Sequence, residues 1–206
     1  FVQIYSNYGQ AYVQRTDLEE MEGQEVWEYD ETDSTNIELE RAVLSVKGSG
    51  RDYILMMDQI SSPSYNEYKW LMHTNSGSNT GGSFTENDNG GIITHDEAQL
   101  QVYIANNDSE TIATETGHHF TGHGLDNQQD HTLLTATKSG TDSYFLTIIR
   151  PLYDNAESAP DFETITDLPA GVTGIIAYPA LSDQSNHDVI LAQSGNNNIG
   201  LNYQDV

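Results

Sequence analysis

The 206-residue chain contains no cysteine. Disulfides, thiolate metal sites and cysteine nucleophiles are therefore excluded. Basic residues are nearly as scarce: seven Lys and Arg stand against 32 Asp and Glu, a formal net charge of −25. Nucleic-acid binding needs Lys and Arg to neutralise phosphates, so that partner class is excluded. Unassisted binding to an anionic membrane is disfavoured for the same reason. No run approaches the ~20 apolar residues of a membrane span. The sequence also lacks a phosphate-binding glycine loop, a Gly-x-Ser-x-Gly elbow and a dinucleotide fingerprint. It begins at Phe1 without a signal-peptide pattern, as expected of a processed mature chain or a piece of something longer.

What is present suits an extracellular β-protein. Twelve tyrosines and abundant Asn, Ser, Thr and Gly accompany the acidity. Such a surface repels itself in dilute buffer and is better tolerated in salt, where charges are screened. The expected location is secreted or cell-surface, in saline surroundings or wherever high solubility is needed.

Strand signals dominate. Residues 37–48, IELERAVLSVKG, alternate well, with Ile37, Leu39 and Arg41 on one parity and Ala42, Leu44 and Val46 on the other. DYILMMDQI and EYKWLMHT follow, separated by SSPSYN, whose composition predicts a turn. AQLQVYIAN (98–106), HTLLTAT (131–137), SYFLTIIRPL (143–152), GVTGIIAYPA (171–180) and HDVILAQSG (187–195) complete the clearer strands, with VQIYSNYGQAYVQ (2–14) a looser one. KSGTDS (138–143) predicts a hairpin turn, and the Gly/Asn/Ser-rich stretch 75–91 predicts a long loop. Nine or ten strands, no long helix and no linker give an expected fold of all-β, antiparallel β-sandwich type, in one domain over 1–206.

Two apolar runs carry polar groups that resist burial. Asp58 follows Met56 and Met57, and His73 follows Leu71 and Met72. A hairpin between the two runs would bring the carboxylate and the imidazole together, either as a buried pair or as ligands of zinc or manganese. Against this stands the plainer reading, that both sit solvated at strand ends. A second cluster, GHHFTGHG (117–124), holds His118, His119 and His123, with His131 close behind. Its glycines predict a loop, either a weak metal or general-base site or a polar connector enriched in His by chance. TENDNGG (85–91) and LDNQQD (125–130) offer oxygen ligands of the kind calcium takes, but without EF-hand spacing they read more readily as solvated turns in an acidic protein.

The order of these segments resembles the C-terminal β-sandwich of the heparinase II/III-like polysaccharide lyases. The family pattern has a strand opened by Arg, an apolar strand ending in an Asp-Arg-Val-like triplet, a strand ending in His, and one closing in Phe-x-x-x-(Leu/Ile)-x-Pro. Here these are Arg41, Met57-Asp58-Gln59-Ile60, Trp70 to His73, and Phe145 to Pro151, so the resemblance covers residues 37–152. Gln59 stands where the family has Arg. The resemblance implies β-elimination on an acidic polysaccharide, with much of the active site on a separate helical toroid. It also implies, for some members, a structural metal held by His and Asp, and Asp58 and His73 are the positions that correspond. No position matches the family's catalytic Tyr or His. The alternative is a non-catalytic sandwich, either a glycan-binding module or a surface or filament subunit that self-associates through sheet edges such as residues 1–14.

Overall fold

A computed structural model describes the backbone of residues 2–8, 11–15, 26–30, 37–47, 52–74, 76, 81–105, 110–120, 128–152, 162–178, 187–193 and 200–205. Side chains are described from residue 37 onward, except at 118–120, 128–129 and 200–205. The described residues form fourteen strands and no helix, and no helix long and apolar enough to cross a membrane is among them. The strands are β1 (Val2–Tyr8), β2 (Ala11–Arg15), β3 (Val26–Asp30), β4 (Ile37–Val46) and β5 (Tyr53–His73). Next come β6 (Gly82–Asn87), β7 (Gly90–His95), β8 (Ala98–Ile104), β9 (Thr111–Phe120) and β10 (Gln128–Leu152). The last four are β11 (Phe162–Ile165), β12 (Val172–Ala177), β13 (Asp188–Gln193) and β14 (Gly200–Asp205). Pairing throughout these strands is antiparallel. The large sheet runs β1-β4-β5-β10-β8-β7-β6 with β9 joined to β10, and a second runs β11-β12-β13-β14. The expected all-β antiparallel fold is what forms.

Both expected hairpins are absent. The two runs around SSPSYN are one strand, β5, of 21 residues, and KSGTDS lies inside the 25-residue β10. The two long strands pair with each other along nearly their whole length, from Leu133↔His73 to Ile149↔Ile54. The turn-like residues mark the place where this ladder breaks. Gly140 pairs with Asn66 but Asp142 pairs with Ser61, so Ser62 to Tyr65 lie opposite Thr141 alone. Ser62 Oγ accepts hydrogen bonds from the Ser64 N–H (3.3 Å) and the Asn66 amide (2.9 Å), which knits the bulge into a local turn, and Tyr65 stands 76 % exposed on it.

A bulge on one strand shifts which parity faces a given side. In β10, Leu134 and Ala136 face the same core as Phe145, so the inward parity changes from even to odd across the break. In β5 it does not change: Met56, Ile60, Tyr68, Trp70 and Met72 all meet that core. The C-terminal half of β5 and the N-terminal half of β10, with β9, thus cover one face of the main sheet. Its other face packs Tyr53, Leu55, Met57, Tyr103, Leu146 and Ile148 against Ile175, Ala177, Ile190 and Ala192 of the second sheet. Strands covered on both faces read as continuous apolar runs, which is why SYFLTIIRPL barely alternates.

The predicted loop over 75–91 is also corrected in part. Residues 82–87 form β6, and Asp88-Asn89 turn it into β7. Asn89 fixes the turn through its side chain, donating to the Ile104 carbonyl at 3.1 Å. A Cβ on Gly90 would fall 2.3 Å from the Val102 carbonyl oxygen, so only glycine allows β7 so close to β8.

Candidate functional site

Asp58 and His73 do not meet. They lie fifteen residues apart on one strand, roughly 50 Å of extended contour at ~3.3 Å per residue. Asp58 sits mid-strand, 2 % exposed, with Arg41 beside it on β4. The Arg41 guanidinium grips both carboxylate oxygens: Nη2 donates to Oδ2 at 2.8 Å, and Nε donates to Oδ1. A fork-to-fork pair of this kind satisfies a buried carboxylate. The residues present therefore do not fit a metal held by Asp58 and His73 together.

His73 pairs with His131 instead. His73 closes β5 and is exposed, while His131 on β10 is 5 % exposed. His73 Nδ1 lies 2.5 Å from His131 Nε2, with ring centroids 4.7 Å apart and planes tilted by 31°. The chain just beyond β5 is held to β10 by three further contacts. Thr74 donates its N–H (3.1 Å) and hydroxyl (2.7 Å) to the Thr132 carbonyl, and Thr132 N–H donates to the Ser76 carbonyl at 2.8 Å. Room for the His131 ring comes from Gly117, its cross-strand partner on β9. A Cβ at Gly117 would lie 2.7 Å from His131 Nε2 and 2.6 Å from Leu133 Cγ.

The chemistry of the pair follows from proton count. One facing nitrogen must carry a proton and the other must not. If His73 Nδ1 donates, its outward Nε2 is a base; if His131 Nε2 donates, His73 Nε2–H is a donor. Two protons facing each other at this distance repel, so the pair holds one proton between its facing nitrogens.

The loop expected over GHHFTGHG is corrected at its first four residues, because Gly117 to Phe120 continue β9, and residues 121–124 lie outside the described residues. His118 pairs across the strands with Asp130 and His119 with Gln129, while His123 lies outside the described residues. Among the described residues no three His, Cys, Asp or Glu side chains converge on one point. The facing nitrogens of His73 and His131 are spent on each other rather than turned toward a shared metal.

Other polar groups are buried for architectural reasons. Tyr53 donates its hydroxyl to Asp188 across the inter-sheet core at 2.6 Å, with both residues buried. Lys138 reaches Glu110 at 2.8 Å in the opposite core and lies 4.1 Å from the centre of the Tyr144 ring. Burial pushes the Glu40 carboxyl above its ordinary 4.5. It also raises the Tyr103 hydroxyl, which the hydrogen bond with Thr164 Oγ1 at 2.9 Å partly offsets.

No protein-family profile matches the chain, and no curated protein matches it in sequence. Solved structures do resemble it. Heparan sulfate lyase HepC from Pedobacter heparinus and a mutant of that enzyme each superpose with a TM-score of 0.50 at 15% identity. The chain shares its fold with part of a heparan sulfate lyase. Each match covers 98% of this chain and 28% of the lyase chain, and at this identity the likeness is one of fold. His131 gained no role from the sequence, although it was near the His cluster. Its partner is 58 positions away, and only the β5–β10 register joins them.

Proposed function

We propose that this chain is the β-sandwich module of a polysaccharide lyase of heparinase II/III-like kind, working on an acidic polysaccharide outside the cell beside a separate helical domain. The observation that carries the reading is the fold likeness over 98% of the chain to a lyase more than three times as long. The excess of acid fits a module that scaffolds a site rather than one that alone receives a polyanion. The test uses the whole polypeptide that the encoding gene specifies. It is incubated with heparan sulfate, chondroitin, alginate and ulvan, and ultraviolet absorbance reports unsaturated uronate. Product from at least one substrate is expected, and absence across the panel overturns the reading.

A second reading has one observation behind it. β1 is the end strand of the main sheet among the described residues, paired with β4 on one side. An edge strand can accept a strand from another copy. On this reading the chain is a self-assembling surface or filament subunit or a glycan-binding module. Size-exclusion chromatography of the chain separates the readings, since a strict monomer counts against assembly.

A further inference from the structure

Seven cations serve the whole chain, and five of their side chains are described. Arg41 holds Asp58, Lys69 holds Glu115 at 2.8 Å and Lys138 holds Glu110 at 2.8 Å. Arg150 is 4 % exposed. Lys47 is exposed, as Lys69 is, but unlike Arg41, Lys69 and Lys138 it makes no ion pair among the described residues. It also lines a cleft of about 290 Å³ between the end of β4, the start of β5 and the end of β10.

The walls of this cleft have a definite chemistry. Val46, Ile54 and Pro151 supply apolar surface, with Ile54 38 % exposed. Ser45 supplies a hydroxyl, Asp52 a carboxylate and Lys47 an ammonium. A purely apolar ligand would leave the Lys47 ammonium unmatched, and a simple anion would meet Asp52 as well as Lys47. A sugar ring answers all of them: its C–H face covers the apolar wall, its hydroxyls donate to Asp52 and Ser45, and a ring carboxylate reaches Lys47. The volume lies at the low end of small-molecule sites, roughly 300–1,000 Å³, which is room for one ring rather than a chain of them.

We propose that the cleft at Lys47 is a binding subsite for a single uronate ring, with Lys47 pairing its carboxylate and Asp52 accepting its hydroxyls. The inference rests on the polysaccharide reading for the ligand being an acidic glycan, and it adds the place and the residues that receive one ring. The −25 surface does not forbid it. At physiological ionic strength the Debye length is about 8 Å, so distant carboxylates are screened while a contact ion pair is not.

The test is titration of the chain with a short uronate oligosaccharide, followed by backbone amide chemical shifts. The same sugar with its carboxyls methyl-esterified, and a neutral sugar carrying a sulfate, form the other arms. The expected result is saturable binding of the uronate, with shifts confined to the ends of β4, β5 and β10. Lys47→Gln should weaken it about tenfold or more, the loss typical of a hydrogen bond to a charged group. The ester should be weakened as much, the sulfated sugar should bind less tightly than the uronate, and Lys69→Gln should bind within about twofold of wild type. No saturable shift with uronate, or a Lys47→Gln variant or an ester that binds like wild type with acid, overturns the subsite. A sulfated sugar that binds better than the uronate overturns the carboxylate assignment. These failures are distinct from failure of the lyase reading. A gene-encoded polypeptide that makes unsaturated product while its cleft ignores uronate sinks the subsite alone, and the reverse pattern sinks the lyase alone.

Discussion

Removing Arg41 should harm the fold more than neutralising the carboxylate it serves. Asp58 is 2 % exposed, whereas the Arg41 side chain is 39 % exposed. Replacing Arg41 by Met leaves a charge in the sheet with no cation to meet it. Breaking a fully buried pair in this way costs about 3–5 kcal/mol. Here the vacated side is open enough for water to enter, so about 2–3 kcal/mol is the expected loss. Replacing Asp58 by Asn keeps the shape, removes the charge and lets the guanidinium turn to solvent. The loss is then close to one ordinary hydrogen bond, about 1 kcal/mol. Because the two residues touch, the double variant should lose about 1–2 kcal/mol rather than the sum. Urea denaturation followed by tryptophan fluorescence reads all three, since Trp70 is buried at 7 % exposure. An unchanged m-value is needed for the comparison. Asp58→Asn losing as much as Arg41→Met, or strict additivity in the double variant, would refute the reasoning.

Gly117→Ala should destabilise by about 1–3 kcal/mol through overpacking, because the new Cβ has no space beside Leu133 and His131. It should also part the histidines, seen as loss of the shared-proton signature in imidazole nitrogen shifts; an intact pair in this variant would count against the role given to glycine. Glu40→Gln tests the effect of burial on a carboxyl. A carboxyl raised above 4.5 in the fold contributes stability below that pH and loses it as pH rises through the raised value. Relative to wild type, the Gln variant should therefore melt higher at neutrality than it does in acid. A melting difference that does not change with pH would refute the assignment.

Most strands were legible because their residues pattern locally. Residues 37–46 alternate and form β4, and GVTGIIA and DVILAQ form β12 and β13. What local pattern could not supply was connectivity. SSPSYN has the composition of a turn, and it does turn, but as a bulge within β5 rather than as the tip of a hairpin. KSGTDS is the matching irregularity on β10. Composition reports that the backbone departs from regular pleat, and it does not report whether the chain reverses. The site followed the same rule. Asp58 and His73 were found as unusual residues, but the partners assigned to them assumed the hairpin. Arg41 and His131, their actual partners, are set by pairing between distant strands. The Lys47 cleft has no local motif at all. It emerges only when the other described cations are seen to be engaged.

The length of β5 has a consequence for how the molecule is made. Its distal half carries Tyr68, Trp70 and Met72, and its ladder partner does not begin until Gln128, 55 positions beyond His73. Ribosomes add roughly 5–20 residues each second. For several seconds, then, the nascent chain exposes an unpaired strand bearing large apolar side chains, and β4 reaches only as far as Ser61 to shield it. Such edges recruit other chains. A polypeptide with a net charge of −25 meets this hazard with mutual repulsion between copies. The acidity that makes the folded surface soluble would thus also guard the half-made protein, and weakening it at sites far from any contact should show first as lower yield rather than lower stability.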